Sequence, residues 1–179
     1  MAIVHNFVTS NNIGGIGESI FYILLDGLSP GDVQSVVKEK EWRGRGIDFI
    51  LQDVYYDTKF DTKAFSTGNV ALETVSRKEG TKVIKKGWVH TSQADCVAYI
   101  FLENSNWSIY FFTVPEMQKM VRIKEYETKS IKNYGYESEV VLVPIKDLEH
   151  KAKMSFPVVG EVDLSVLRKV HEYLRENKE

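Results

Sequence analysis

Apolar residues recur through residues 17–28, GESIFYILLDGL, at Ile20, Phe21, Ile23, Leu24, Leu25 and Leu28, and so wide an apolar face predicts a helix buried on a sheet. Ser29-Pro30-Gly31 ends it. Runs rich in β-branched and aromatic residues then predict strands over 33–39, 46–52, 54–60 and 69–76. The almost continuous apolar run 95–102 predicts a central strand covered on both faces. Residues 107–113, NWSIYFF, read as a further strand, Pro115 opens a short helix over 115–121, and 138–144 is a strand closed by Pro144. Leu164, Leu167, Val170 and Leu174 return at helical spacing, which predicts a last helix over 164–177 with Asp163 as its N-cap. A helix, a β-meander and then mixed α/β elements predict an α/β fold around a mixed central sheet flanked by helices. No repeat, low-complexity stretch or composition shift marks a linker, so residues 1–179 read as one domain.

Composition narrows the class. A hydrophobic fraction of 43% with 12% aromatics fits a packed globular core and excludes a disordered chain. The single cysteine, Cys96, excludes an intrachain disulfide and, inside DCVAYIFLE, reads as a buried, unreactive thiol. No segment approaches the roughly 18 uninterrupted apolar residues of a membrane span, and residues 1–20 lack a basic region followed by an apolar leader core. No membrane partner and a reducing, cytoplasmic setting are therefore expected.

With 23 basic and 25 acidic side chains the net charge is −2, which does not advertise a nucleic-acid binder. A protein that gathers carboxylates around a metal lowers its own net charge, however, so local distribution matters more than the sum. In 77–86 the chain carries Arg77, Lys78, Lys82, Lys85 and Lys86 against Glu79 alone, which fits a phosphate-contacting loop and a solvated hairpin tip equally well. Trp42, Arg43 and Arg45 form a second basic and aromatic group, with Trp42 suited to stack on a base or to cap the core.

The chemistry concentrates in 45–69. Asp48 lies on one apolar strand and Asp57-Thr-Lys59 on the next. Side chains alternate along a strand, so Asp57 and Lys59 project the same way, and a turn at Gln52 and Asp53 would bring Asp48 beside them. Two carboxylates and an ammonium sharing one site suit a divalent cation, Mg2+ or Mn2+, and hydrolysis of a phosphodiester. The unit repeats as Asp61-Thr-Lys63, which leads into the AFSTGN turn, and the residues by themselves leave open which copy acts. The residue types alone also fit the charged face of an edge strand. His5, His90, His150 and His171 show no zinc-like spacing with one another or with Cys96. Asp95, after Ser92-Gln93-Ala94, reads as fixing that turn or bonding a core group. Gly14-Gly15-Ile16-Gly17 is not a P-loop, since no Lys-Ser/Thr follows it.

With its flanks, VVKEKEWRGRGIDFIL, DTKFD, STGNVALE and GWVHTSQADCVAYIF, the region 33–101 resembles the PD-(D/E)XK nuclease superfamily in its phage-type branch. The resemblance implies a restriction-endonuclease-like core and a Mg2+-dependent DNA hydrolase. It favours Asp57-Thr-Lys59 over the second copy, because an aromatic and an acid follow the first, as in the family. Asp48 and Asp57 would hold the metal, and Lys59 would orient or deprotonate the attacking water or neutralise charge on phosphorus. It implies a metal-ligand role for Glu18 in the first helix, where an acid in the first turn also simply suits the helix dipole, and an auxiliary role for Glu73 in NVALETVSR. It names DNA as partner, with Arg43, Arg45, Lys82, Lys85 and Lys86 as candidate contacts, and adds a homodimer as an option because many such enzymes pair to cut two strands. The alternatives are a nuclease-fold module that binds nucleic acid or protein without cleaving, and a phage accessory protein whose acids are only surface.

Overall fold

The structure, a computed structural model, describes residues 7–78, 80–81, 84–133 and 135–178. Helix α1 (Phe7–Leu28) is longer than the expected 17–28. Gly14, Gly15 and Gly17 each weaken a helix by about 1 kcal/mol relative to alanine, yet burial of Phe21, Leu24 and Leu25 anchors the segment on the sheet and overrides that cost. The meander follows: β1 (Gln34–Ser35), α2 (Lys40–Gly44), β2 (Phe49–Leu51), β3 (Val54–Phe60), α3 (Ala64–Thr67), β4 (Asn69–Lys78), β5 (Ile84–Lys86) and α4 (Trp88–Thr91). Then come β6 (Cys96–Glu103), β7 (Asn106–Phe112), α5 (Val114–Met120), β8 (Glu127–Asn133), β9 (Tyr136–Pro144), a 3-10 turn (Ile145–Leu148), β10 (Ala152–Pro157) and α6 (Ser165–Glu176).

The strands form two sheets. A six-stranded sheet runs β1-β2-β3-β6-β7-β10 and is mixed, because β3 and β6 pair in parallel while their neighbours pair antiparallel. A four-stranded antiparallel sheet runs β5-β4-β9-β8. Strand β6 is central, as its unbroken apolar run predicts. Cys96, Ala98 and Ile100 face the core shared with α1 and α6, whereas Val97, Tyr99 and Phe101 face a second core built with α4, α5 and the inner side of β4 and β9. The fold is therefore α/β, a mixed central sheet with helices on both faces. Among the described residues no helix is long and apolar enough to cross a membrane.

Several expectations need correction. The segment 33–39 contributes only the two residues of β1, paired with Ile50 and Phe49; beyond Val36 the charged run Lys38 to Glu41 is largely solvent-facing and turns into α2. Strand 46–52 shortens to β2, since Gly46 adopts φ +65° and breaks the extended chain before Asp48. Strands β5, β8 and β10 were not expected. Strands β5 and β8 are edge strands whose residues 84–86 and 127–132 lie open to solvent on both faces, so no apolar alternation marks them, whereas β10 buries Met154 and Phe156. Helix α6 begins one residue later than expected, with Asp163 Oδ1 accepting the Ser165 N–H at 2.8 Å.

Candidate active site

The site begins with a two-residue turn. Gln52 and Asp53 both take positive φ, 48° and 67°, the backbone of a type I′ hairpin whose twist matches its strands. This fixes the register: Leu51 pairs with Val54 and Phe49 with Tyr56, and Asp48 follows just beyond that last pair, where its side chain reaches β3 next to Asp57. The Asp48 N–H donates to Tyr56 O at 2.8 Å, and the Thr58 N–H donates to Asp48 Oδ2, also at 2.8 Å. The Asp48 carboxylate thus takes the amide just past the end of β2, where the ladder stops. Asp57 and Lys59 share the sheet face of Val97 and Tyr99, their partners on β6.

The hairpin therefore gathers charge in a sparsely solvated place. Asp57 is 1% exposed; its Oδ1 accepts the Lys59 ammonium, while its Oδ2 is buried with no hydrogen-bond partner among the described residues. Burial and the adjacent Asp57 charge push the Asp48 carboxyl up to about 7, with Glu18 adding to the push and Lys59 and the Thr58 amide opposing it. Burial works against the Lys59 ammonium, but Asp57, Asp48 and Glu18 outweigh it and hold its pKa above the ordinary lysine value. Glu18 reaches this cluster electrostatically because α1 packs tightly on β3. A Cβ at Gly17 would stand 2.5 Å from Phe60 Cβ, so no larger residue fits there, while Gly14 and Gly15 meet nothing within 4 Å.

Beside Lys59 opens a cleft of about 620 Å3, with Lys59, Tyr99 and Trp88 on one side and Glu73, Ser138 and Lys129 of the four-stranded sheet on the other. The Lys59 ammonium lies 5.0 Å from the Trp88 ring centroid. Gly87 makes that neighbourhood: its N–H donates to Thr74 O at 2.8 Å, and a Cβ there would fall 2.2 Å from Glu73 O. Only glycine lets α4 press against the bulge between Glu73 and Val75 and deliver Trp88 to the cleft. Trp88 was given no role by the sequence reading. The only signal for it was the Gly87-Trp88 pair just before the central strand.

The remaining candidates are dispersed. Glu73 borders the cleft, where its Oε2 accepts the Ser138 hydroxyl at 2.6 Å, but it belongs to the second sheet and not to the hairpin. Asp61 closes the end of β3 instead: Oδ1 accepts the Lys63 and Ala64 amides at 2.7 and 3.0 Å, and Oδ2 accepts the Tyr99 hydroxyl at 2.8 Å. The second Asp-x-Lys unit therefore caps α3, and the first is the one joined to Asp48. Arg45 lies 4.6 Å from the Trp42 ring and 5.8 Å from that of Tyr55, and its Nε donates to Gln93 Oε1 at 2.8 Å. Trp42 packs on Tyr55 at 5.8 Å, beside Val36, Ile47 and Ala94. Arg43 is exposed on α2, Lys85 and Lys86 are exposed on edge strand β5, and Lys82 lies outside the described residues. Asp95 accepts the Tyr55 N–H at 2.8 Å and pairs with Lys178 at 3.0 Å. Cys96 is 1% exposed, and burial pushes its thiol far up, out of nucleophilic range.

A metal fits part of this geometry. Mg2+ takes hard oxygen ligands and keeps most of its waters, so one or two protein carboxylates suffice, and the buried Asp57 Oδ2 without a partner is an oxygen of that kind. Among the described residues no group of three or more His, Cys, Asp or Glu side chains converges as a ready-made cage. No family model matches the chain, and no solved structure matches it.

Proposed function

We propose that this chain is a divalent-metal-dependent nuclease with a restriction-endonuclease-like core, hydrolysing DNA phosphodiesters at the β2–β3 hairpin. The observation that carries the reading is that the Asp48 carboxylate reaches across the hairpin to the Thr58 amide, beside Asp57, with the Lys59 ammonium on one Asp57 oxygen and the other oxygen buried without a partner among the described residues. Asp48 and Asp57 would hold Mg2+ or Mn2+, and Glu18 adds a third negative charge nearby. Bound there, the cation would supply Lewis-acid stabilisation of charge developing on the phosphoryl oxygens. Lys59 contributes a fixed cation on the same face, placed to orient water or to meet that charge. Glu73 and Ser138 form the opposite wall of the adjoining cleft.

Incubating plasmid, linear duplex, single-stranded and branched DNA with Mg2+, Mn2+ or EDTA tests the reading. Cleavage that needs metal and is lost in Asp57→Asn supports it; no cleavage of any substrate in either metal overturns it. The Lys59–Asp57 ion pair favours a second reading, a nuclease-fold module that binds without cutting, because it already engages one of the oxygens a metal would use. A large metal-dependent rise in Tm separates the two.

A further inference from the structure

We infer that the cleft between Trp88 and the four-stranded sheet is a nucleobase subsite, and that the strand presented to the hairpin is single-stranded. This rests on the nuclease reading and goes past it by naming the form of the substrate. Three observations carry it. A cleft of about 620 Å3 lies in the size range that encloses a single small ligand, so it admits a nucleotide or two of one strand and no double helix. Half-buried Trp88 borders it with the Lys59 ammonium over its ring, 5.0 Å from the centroid, so a base that stacks on Trp88 takes the place of that ammonium and carries its phosphate beside the Lys59–Asp57 pair. The third is charge.

The lining brings Lys59, Lys63 and Lys129 together with Asp61, Glu73 and Glu127. These acids are engaged: Asp61 by the α3 amides and Tyr99, Glu73 by Ser138, and Glu127 by Lys129 at 3.2 Å. So balanced a wall does not track a long run of phosphates, and at most three lysines meet the backbone. Affinity then comes mainly from stacking, which tolerates any base because every base has a π-face. The wall formed by the four-stranded sheet suits that purpose, since Val140, Leu142 and Ile131 offer apolar surface beside the polar side chains.

The test is fluorescence anisotropy in EDTA, where no strand is cut, with three labelled 12-nucleotide probes: oligothymidylate, an abasic strand of equal charge, and a blunt duplex. Wild-type protein should bind oligothymidylate roughly tenfold tighter than either of the others, the effect of about one stacked base. The log of the association constant should fall against log salt with a slope no steeper than about −2, from three phosphate contacts on a single strand. Trp88→Ala should bring oligothymidylate down to the abasic level, and Trp88→Phe should restore most of the difference. Equal binding of oligothymidylate and abasic strand by wild type, or a preference for duplex, overturns the inference without recourse to any variant. An unchanged oligothymidylate affinity in Trp88→Ala overturns it as well. If the inference fails while duplex is still cut in Mg2+ and spared by Asp57→Asn, the nuclease reading stands; if no DNA is bound or cut, both fall.

Discussion

Replacing Asp48 with asparagine should make the metal-free protein more stable at neutral and alkaline pH while removing its activity. The Asp48 carboxyl is pushed from 3.8 to about 7 by burial and by Asp57. Between those two values the folded chain holds a proton that the unfolded chain has released, so stability contributed by this group falls as pH rises from about 4 to about 7 and is level above that. Three pH units at about 1.36 kcal/mol each give about 4 kcal/mol as the upper bound on the cost of ionising Asp48 in place. Asparagine keeps the oxygen that accepts the Thr58 amide and carries no charge. The variant should therefore exceed the parent by about 2 to 4 kcal/mol at pH 8, or roughly 4 to 12 °C in Tm for a chain of this size, and the two should converge at pH 4. Thermal melts and urea unfolding in EDTA across pH 4 to 9 measure this. In Mg2+ the order should close or invert, because only the parent gains binding energy from the ion, and cleavage by the variant should fall by about 10² or more. A variant less stable than the parent at pH 8, or a difference independent of pH, would refute the reasoning.

Lys59→Ala should leave the buried Asp57 charge without its cation; with the lysine 27% exposed, the loss in urea unfolding at pH 7 should be about 1 to 3 kcal/mol, short of the roughly 3 to 5 of a fully buried pair. Glu18→Gln should weaken Mg2+ or Mn2+ binding by calorimetric titration while hardly changing Tm in EDTA; unchanged metal affinity removes Glu18 from the site. Gly87→Ala places a Cβ 2.2 Å from Glu73 O, backbone that has no rotamer to yield, and should cost about 2 kcal/mol or more by chemical denaturation and disturb the Trp88 fluorescence spectrum. Asp61→Ala should lose about 1 kcal/mol of capping stability yet leave metal affinity unchanged, the opposite pattern to Asp57→Asn.

The hairpin was legible in the sequence because its information is local. Alternation along β3 sets Asp57 and Lys59 on one face, a two-residue turn fixes the register, and Asp48 follows by counting. The central strand was legible for the same reason, since burial on both faces writes itself as an unbroken apolar run. The cleft was not. Its far wall comes from β4, β8 and β9, and β8 reads ETKSIKN, an exposed edge strand with no apolar face to declare it. Trp88 depends on Gly87 meeting a bulge some fourteen residues away, a contact that no periodicity encodes. Even the choice between Asp57 and Asp61 rests on the folded chain, because Asp57 receives the Lys59 ammonium whereas Asp61 receives the Lys63 and Ala64 amides.

The hairpin keeps two opposed carboxylates in a nearly dry position because its neighbouring residues are held from elsewhere. Tyr56 is buried against Phe21 of α1, and its hydroxyl bonds to His171 Nδ1 at 2.7 Å, while the other ring nitrogen of His171 lies 3.3 Å from Gln52 Oε1 in the turn. Burial, with Arg175 beside it, lowers the His171 pKa, which keeps the imidazole neutral and fit for that structural bond. Tyr55 is fixed at its amide by Asp95 and lies under the Lys178 ammonium, 3.9 Å from the ring centroid. Tyr55 and Tyr56 thus fasten β3 from its two opposite faces, Tyr56 to α1 and α6 and Tyr55 to residues 95 and 178, and so hold the segment on which Asp57 and Lys59 follow, with Lys59 at the cleft.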